Sequence, residues 1–304
     1  MESIGNLVQE VIKGMPQISL KGISLNELVN QAIRDPDVQR FLEDNKDKLN
    51  KQIVIASISN IFEFYEQKHN KDKVIVGYYP ELFLNGNVID VRYAETAEKK
   101  KQDEERIVQK RVELIDLPKK LRSVDLNSID ITIERNKALA KIGVFLEKYP
   151  KDPHAKGLYL TGNFGVGKTY MMAGMANKIA AIGKKVIFLH MPTFISGLTS
   201  HFGDNSLQNE IDRVAGCDVL ILDDIGAETL SQWSRDDVLG VILQFRMDNS
   251  MPTFFTSNID MANLESHFEE TRNAIDPVKA KRLMERIRYL AEEVVVGGPN
   301  RRNG

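Results

Sequence analysis

Cysteine is almost missing from this chain: Cys217 is the single one in 304 residues. An intramolecular disulfide is therefore impossible and a cysteine-based zinc site is excluded, which fits a reducing cytoplasm. Neither sign of charge dominates. Lys and Arg number 41 against 43 Asp and Glu, a net charge of −2, so there is no global footprint for nucleic acid and any such contact must be local. No apolar run approaches the ~18 residues that would span a bilayer. The start, Met1-Glu2-Ser3, lacks the basic stretch and apolar core of a secretory leader. The expectation is a soluble cytoplasmic protein with no membrane partner. No internal repeat or low-complexity stretch stands out. With 42% hydrophobic and 28% charged residues, the composition suits a globular chain able to bury a core, and the length is comfortable for two domains.

What is present is organised around Gly162-Asn163-Phe164-Gly165-Val166-Gly167-Lys168-Thr169. The spacing fits G-x-x-x-x-G-K-[ST], the phosphate-binding loop of nucleoside triphosphatases. Successive backbone N–H groups must curl round a β-phosphate, and glycines let the chain turn that tightly. Lys168 then reaches the β- and γ-phosphates, while the Thr169 hydroxyl ligates Mg²⁺. Context supports the match. The apolar run Gly157 to Thr161 suits a buried strand, and Met171, Met172, Met175, Ala176, Ile179 and Ala180 fall on one face of a following helix.

Further strands are expected at 184–189, 219–222, 252–256 and 293–296, with helices at 134–146, near 238–245 and at 278–290 between them. A short helix through Phe194, Leu198 and Phe202 is also expected. This alternation predicts an α/β/α three-layer fold on a parallel sheet, with ligands at the carboxyl ends of the strands. The third strand ends in Asp223-Asp224. Adjacent acids at a strand end could be turn polarity, but beside a phosphate loop Asp223 reads as the Mg²⁺ carboxylate and Asp224 as the group that activates water. Asn258 closes the fourth strand, where it could position that water or be an ordinary turn residue. No Asn-Lys-x-Asp motif for reading guanine is present.

The first ~115 residues, about a domain's worth, read as helices and one hairpin. Ser24 to Glu27 has capping-box spacing, Asp35-Pro36 restarts the chain as an N-cap and first helical proline, and a longer helix is expected from Asp47 to Gln67. Asn85-Gly86-Asn87 between two apolar runs signals a hairpin. The mixed-sign run Glu98 to Arg106 reads as a solvated helix, and Leu117-Pro118 as a break. The expected division is therefore 1–115, a linker at 116–133, and a nucleotide-binding domain at 134–304.

Three stretches carry a family resemblance: VLILDDIGAE at 219–228, PTFFTSN at 252–258 and RLMERIRYLA at 282–291. The chain resembles the AAA+ ATPases that load replicative DNA helicases in bacteria, those of the DnaI type with their kin of the DnaC and IstB types. DPDVQRFL at 35–42, GYYPEL at 77–82 and the hairpin extend the likeness to the N-terminal part. The resemblance implies ATP as nucleotide and a C-terminal ATPase domain that contacts single-stranded DNA. It also implies an N-terminal domain that grips the hexameric helicase, and self-association on that helicase. It further implies a trans-acting arginine finger at Arg286, with Arg282 one turn away as the alternative, and a second sensor arginine at Arg301, with Arg302 as its rival. Many relatives carry a Cys/His zinc site in the N-terminal domain, and His69 alone cannot replace it. The resemblance implies that the helical lid of most AAA+ proteins is not expected either, and the short stretch after Asn258, nearly consumed by the last helix and strand, agrees. The function expected is ATP-dependent delivery of the replicative helicase onto single-stranded DNA. A transposition helper of the IstB type, or an adaptor whose nucleotide only holds the fold, stand as alternatives. A DNA patch is expected around Lys184, Lys185 and the segment from Phe194 to Phe202.

Overall fold

The structure is a computed structural model that describes residues 19–20, 23–70, 75–198, 206–272 and 274–301. It divides into two compact units, Met1–Glu104 and Glu105–Gly304.

In the first unit, α1 (Leu25–Ile33), α2 (Pro36–Asp44), α3 (Lys51–Ala56) and α4 (Ile58–His69) surround a core of Val29, Ile33, Val38, Leu42, Ile53, Ile61 and Phe64. The side chain of Ser24 lies outside the described residues, so the expected capping box has no observed counterpart. Asp35 does cap α2, its carboxylate accepting from the Asp37 amide at 2.9 Å with Pro36 in the first turn. The single helix expected from Asp47 to Gln67 is two. It breaks at buried Ser57, whose hydroxyl donates to the Ile53 carbonyl and accepts from the Ile89 amide, each at 2.7 Å. A side chain that bonds both its own turn and a strand gives the backbone an alternative to continuous helix. Strands β1 (Tyr78–Asn85) and β2 (Val88–Glu95) pair antiparallel across Gly86-Asn87, where Gly86 has φ 60°. That left-handed value is one glycine adopts without a Cβ penalty.

Helix α5 (Ala97–Arg111) buries no residue fully, as its mixed charge suggests. It leads into β3 (Val112–Ile115), and here the structure corrects the expected division. β3 pairs in parallel with β5 (Val186–His190) as an edge strand of the second unit's sheet, so 112–115 belong with the nucleotide-binding half. Residues 116–133 are not a free linker. Two 3₁₀ turns, Lys119–Ser123 and Leu126–Ser128, bury Leu121, Val124 and Ile129 in that unit's core, and Asn177 donates to the carbonyls of Leu121 and Val124 at 3.1 and 2.8 Å.

The longer remaining elements are α6 (Ile133–Lys148), β4 (Gly157–Thr161), α7 (Lys168–Ala181), α8 (Met191–Leu198), α9 (Ser206–Ala215), β6 (Val219–Asp223), α10 (Gly240–Asp248), β7 (Thr253–Ser257), α11 (Met261–Glu269), α12 (Pro277–Leu290) and β8 (Ala291–Val295). A π-helical turn, Ser234–Leu239, precedes α10. Helix α11 is an element that the sequence pattern did not suggest. In the six-stranded sheet all neighbouring strands pair in parallel, in the order β8-β4-β7-β6-β5-β3. Their side chains alternate between two cores. Leu158, Leu160, Val186, Phe188, Val219 and Ile221 pack towards α6 and α7, whereas Tyr159, Ile187, Leu189, Leu220 and Leu222 pack towards α8 to α12. A strand covered on both faces needs apolar residues at every position, which is why these strands read as unbroken apolar runs. Each Leu, Ile or Phe so buried contributes about 1.5–3 kcal/mol. No described helix is long and apolar enough to cross a membrane.

Candidate nucleotide site

The carboxyl ends of β4, β5, β6 and β7 lie side by side, and the register opposes His190 to Asp223 and Thr161 to Ser257. A cavity of about 1130 Å³ opens there, with Gly165, Lys168, Thr169, Asp223, Asp224 and Asn258 among its lining residues. The phosphate loop forms its floor. Gly167 sits at φ 101° as the cap of α7, so the N-terminus of that helix faces the cavity, as an anion site requires. Gly165, at φ 77°, receives the C-terminal tail. A Cβ there would lie 1.9 Å from the Asn300 Oδ1, and its carbonyl accepts from the Arg301 amide at 3.0 Å. Val166 is buried beneath the loop and Phe164 is exposed on its outer side.

The loop, the acidic strand and its neighbour form one hydrogen-bonded chain. Lys168 Nζ donates to the carbonyls of Gly162 and Asn163 at 2.6 and 3.0 Å and to Asn258 Oδ1 at 2.8 Å. Asn258 Nδ2 in turn donates to Asp224 Oδ1 at 2.8 Å. Asp224 adopts φ 59°, with its amide donating to Thr256 Oγ1 at 3.0 Å. The left-handed turn costs an aspartate roughly 1 kcal/mol and aims the carboxylate out of the strand line. Asp223 accepts from Thr169 Oγ1 at 2.9 Å and from Thr256 Oγ1 at 2.6 Å. Burial raises its pKa, and Asp224 adds to the rise, against the two hydroxyl bonds that lower it. A buried carboxylate paired with a threonine hydroxyl supplies hard oxygen ligands, the donor set that Mg²⁺ takes beside phosphate oxygens and water. The residues present therefore fit the ion.

His190 lines the same cavity. Its Nδ1 bonds the Thr193 hydroxyl and its Nε2 lies 3.9 Å from Asp224 Oδ2, so it is a satisfied strand-end histidine that also faces the acid.

Both arginines that the resemblance implies have partners within this chain. Arg301 reaches the cavity, but its guanidinium bonds the Asp130 carboxylate; Arg302 lies outside the described residues. Arg286 is not at this chain's own cavity: its Nη1 donates to the Gly240 carbonyl at 2.8 Å, while Arg282 is exposed on the same helix. The expected DNA patch needs correction. Phe194 is buried in the core on the α8 side and cannot stack on bases, and Lys184 lies 3.7 Å from the Asp218 carboxylate. Residues 199–205, including Phe202, lie outside the described residues. Trp233 packs against that same core.

Sequence reading passed over Thr256, Asp130 and Arg135. For the first, a signal was the polar Thr256-Ser257 pair that closes a buried strand beside Asn258. Arg135 had another: it stands in the first turn of α6, where the positive helix end disfavours a cation.

Comparison with known proteins agrees with this geometry. Residues 1–93 match the family described as primosomal protein DnaI N-terminus, and residues 94–303 match the family of IstB-like ATP binding proteins. The chain is 35% identical to the replicative helicase loader DnaI of Bacillus subtilis over 314 aligned positions, covering 100% of each. It is also similar to a solved crystal structure of DnaI, with 38% identity and a TM-score of 0.56 over 64% of this chain and 99% of that one.

Proposed function

Since the chain belongs to the DnaI family of replicative helicase loaders, we propose that ATP held in the second unit controls the delivery of a hexameric replicative helicase onto single-stranded DNA. The observation that carries this reading is the hydrogen-bonded line from Lys168 through Asn258 to Asp224. It ties the phosphate loop to the acidic strand and to its neighbour, so a change at the γ-phosphate is felt on three elements at once.

The roles follow from the chemistry of each group. The loop amides and Lys168 hold the phosphates, and Thr169 with Asp223 would hold Mg²⁺. The ion, when bound, neutralises charge on the phosphate oxygens. Asp224 accepts a proton from the attacking water. Asn258, bonded to both Lys168 and Asp224, keeps that carboxylate oriented and senses whether a γ-phosphate has drawn Lys168 away. Arg286 acts in a neighbouring copy's cavity when copies assemble on the helicase, which requires release of its bond to Gly240. The first unit grips the helicase, the second meets single-stranded DNA, and the cytoplasm is where they work. The transposition-helper alternative shares only the second unit, and the match of residues 1–93 to a primosomal N-terminal family favours the loader.

A loading assay tests this. Helicase transferred to circular single-stranded DNA should depend on this protein and on ATP, and should fail with Lys168→Ala. Transfer that proceeds equally without nucleotide would contradict the proposal, and failure to co-purify any replicative helicase would favour the transposition helper.

A further inference from the structure

Among the described residues, Arg135 on the cavity wall makes no salt bridge. Arg135 is 4% exposed, and its guanidinium makes one hydrogen bond among the described residues, from Nη1 to the backbone carbonyl of Asp130 at 3.1 Å. Its Nε–H is buried and has no partner among the described residues. The nearby carboxylate, that of Asp130, is taken by Arg301. Two arginines thus share one acid.

Other features of the surroundings add to the imbalance. Arg135 stands in the first turn of α6, at a positive helix end. Its Nη2 lies against Gly167, the cap of α7, where a Cβ would come within 2.3 Å of that nitrogen. A second positive helix end is therefore beside it. Burial, then the charge of Arg301, lower its pKa, and Asp130 opposes them. A guanidinium removed from water with most of its donors idle is strongly unfavourable unless an anion joins it. Arg135 and Gly167 line the cavity that contains the phosphate loop, so the anion can come from there.

We propose that Arg135 is a nucleotide-binding residue that clamps, from the α6 side, the diphosphate common to ATP and ADP. This rests on the nucleotide reading above and adds a cation to it. Position decides which phosphates it meets. The γ end of the cavity is marked by Asp224 and Asn258, to which Lys168 is tied. Arg135 sits instead at the Gly167 turn, where the loop enters α7 and its amides face the inner phosphates. A planar fork with several free N–H groups suits two phosphate oxygens better than a point charge would. Arg301 then has a second task, since by holding Asp130 it keeps that carboxylate from neutralising Arg135.

Titration of the full-length protein with fluorescent ADP and ATP analogues tests the clamp, using wild type, Arg135→Met, Arg135→Gln and Arg135→Lys. Melting of each without nucleotide is recorded alongside. Arg135→Met should weaken both nucleotides by the same factor, about tenfold or more for a lost charge-assisted pair. Arg135→Lys should recover part of the loss. The nucleotide-free melting temperature of Arg135→Met should be no lower than wild type, since an apolar side chain replaces an unpaired buried charge. If Arg135→Met does not fold, Arg135→Gln carries the same test, because it can keep the bond to the Asp130 carbonyl without the charge. Wild-type affinity in either uncharged variant would overturn the inference while leaving the nucleotide reading intact. Loss confined to ATP would overturn the assignment to the shared diphosphate. Unchanged affinity with a lowered melting temperature would make Arg135 a structural prop. No binding of either nucleotide by wild type would overturn the reading and the inference with it.

Discussion

The two compact units bury polar side chains for different purposes. In the first, Asp35 caps α2 and holds Lys68 and His69 at 2.6 and 3.0 Å, and Ser57 stitches a helix break to the hairpin. Both are consumed by the fold. In the second, Lys168, Asp223 and Thr256 are equally buried, yet with Asp224 and Asn258 they converge on the ends of parallel strands around a cavity. The contrast teaches where to look for each unit's work. Among the first unit's described residues, Tyr79 and Tyr93 of the hairpin are exposed. The second can act through its interior.

Substitutions that sharpen this contrast have graded effects. The largest is expected at Arg286. If it completes a neighbour's site, Arg286→Ala should keep ATP and helicase binding and lose hydrolysis by ~10³–10⁵-fold, the range of arginine fingers. Mixing it with excess Lys168→Ala protein in the presence of helicase should restore some turnover, because one copy's arginine then meets the other copy's loop. Should Arg282→Ala complement in this way and Arg286→Ala not, the finger lies one turn earlier on α12.

The paired acids come next. Asp224→Asn should leave ATP bound and cut single-turnover hydrolysis by ~10²–10⁴-fold, the worth of a positioned base. Asp223→Asn should instead weaken nucleotide binding in a Mg²⁺-dependent way. Equal loss of binding in both would break the division of labour between them.

Effects on stability are smaller and separate the units differently. Asp35→Ala removes a helix cap and a carboxylate that Lys68 and His69 share, and should destabilise the first unit by about 1–3 kcal/mol. Lys68 is partly exposed, which places the effect below that of a fully buried pair. Burial would raise the Asp35 pKa, but the bonds from Lys68, His69 and the Asp37 amide together lower it. Its contribution is therefore present above the unfolded value and lost as pH falls through the folded one. Hydrolysis should be unaffected, and a matching loss of turnover in Asp35→Ala would show that the units are not separable.

Glu228 has the opposite sign. Burial pushes its carboxyl up to about 7, while the backbone amides of Glu228 and Gly226 resist, and its Oε1 has no partner among the described residues. The folded state then holds a proton that the unfolded chain has released, so stability falls as pH rises from about 4.5 to about 7. Glu228→Gln should flatten that decline in a melting series and raise stability at pH 8 by about 1–3 kcal/mol. An unchanged pH profile would contradict the assignment.

Legibility in the sequence follows the same contrast. The phosphate loop was readable because one ligand fixes four positions within eight consecutive residues, and the place of Asp223 because four buried residues precede it in a strand. Asn258 was readable for a similar reason. What escaped depended on distant packing. β3 has only four residues and follows a charged helix, so nothing local marks it as an edge of the sheet. The break at Ser57 exists only because Ile89 arrives from the hairpin. Phe194 reads as a possible stacking residue until α8 turns it inward. Arg135 and Arg301 are 166 residues apart and meet only at the finished loop.

The most direct test of the two-unit account is one variant read two ways. Lys168→Ala should co-purify with the replicative helicase as wild type does, while ATP hydrolysis with helicase and single-stranded DNA present falls to background. Hydrolysis at the wild-type rate would contradict the site, and loss of helicase binding in a folded Lys168→Ala protein would contradict the separation of grip from chemistry.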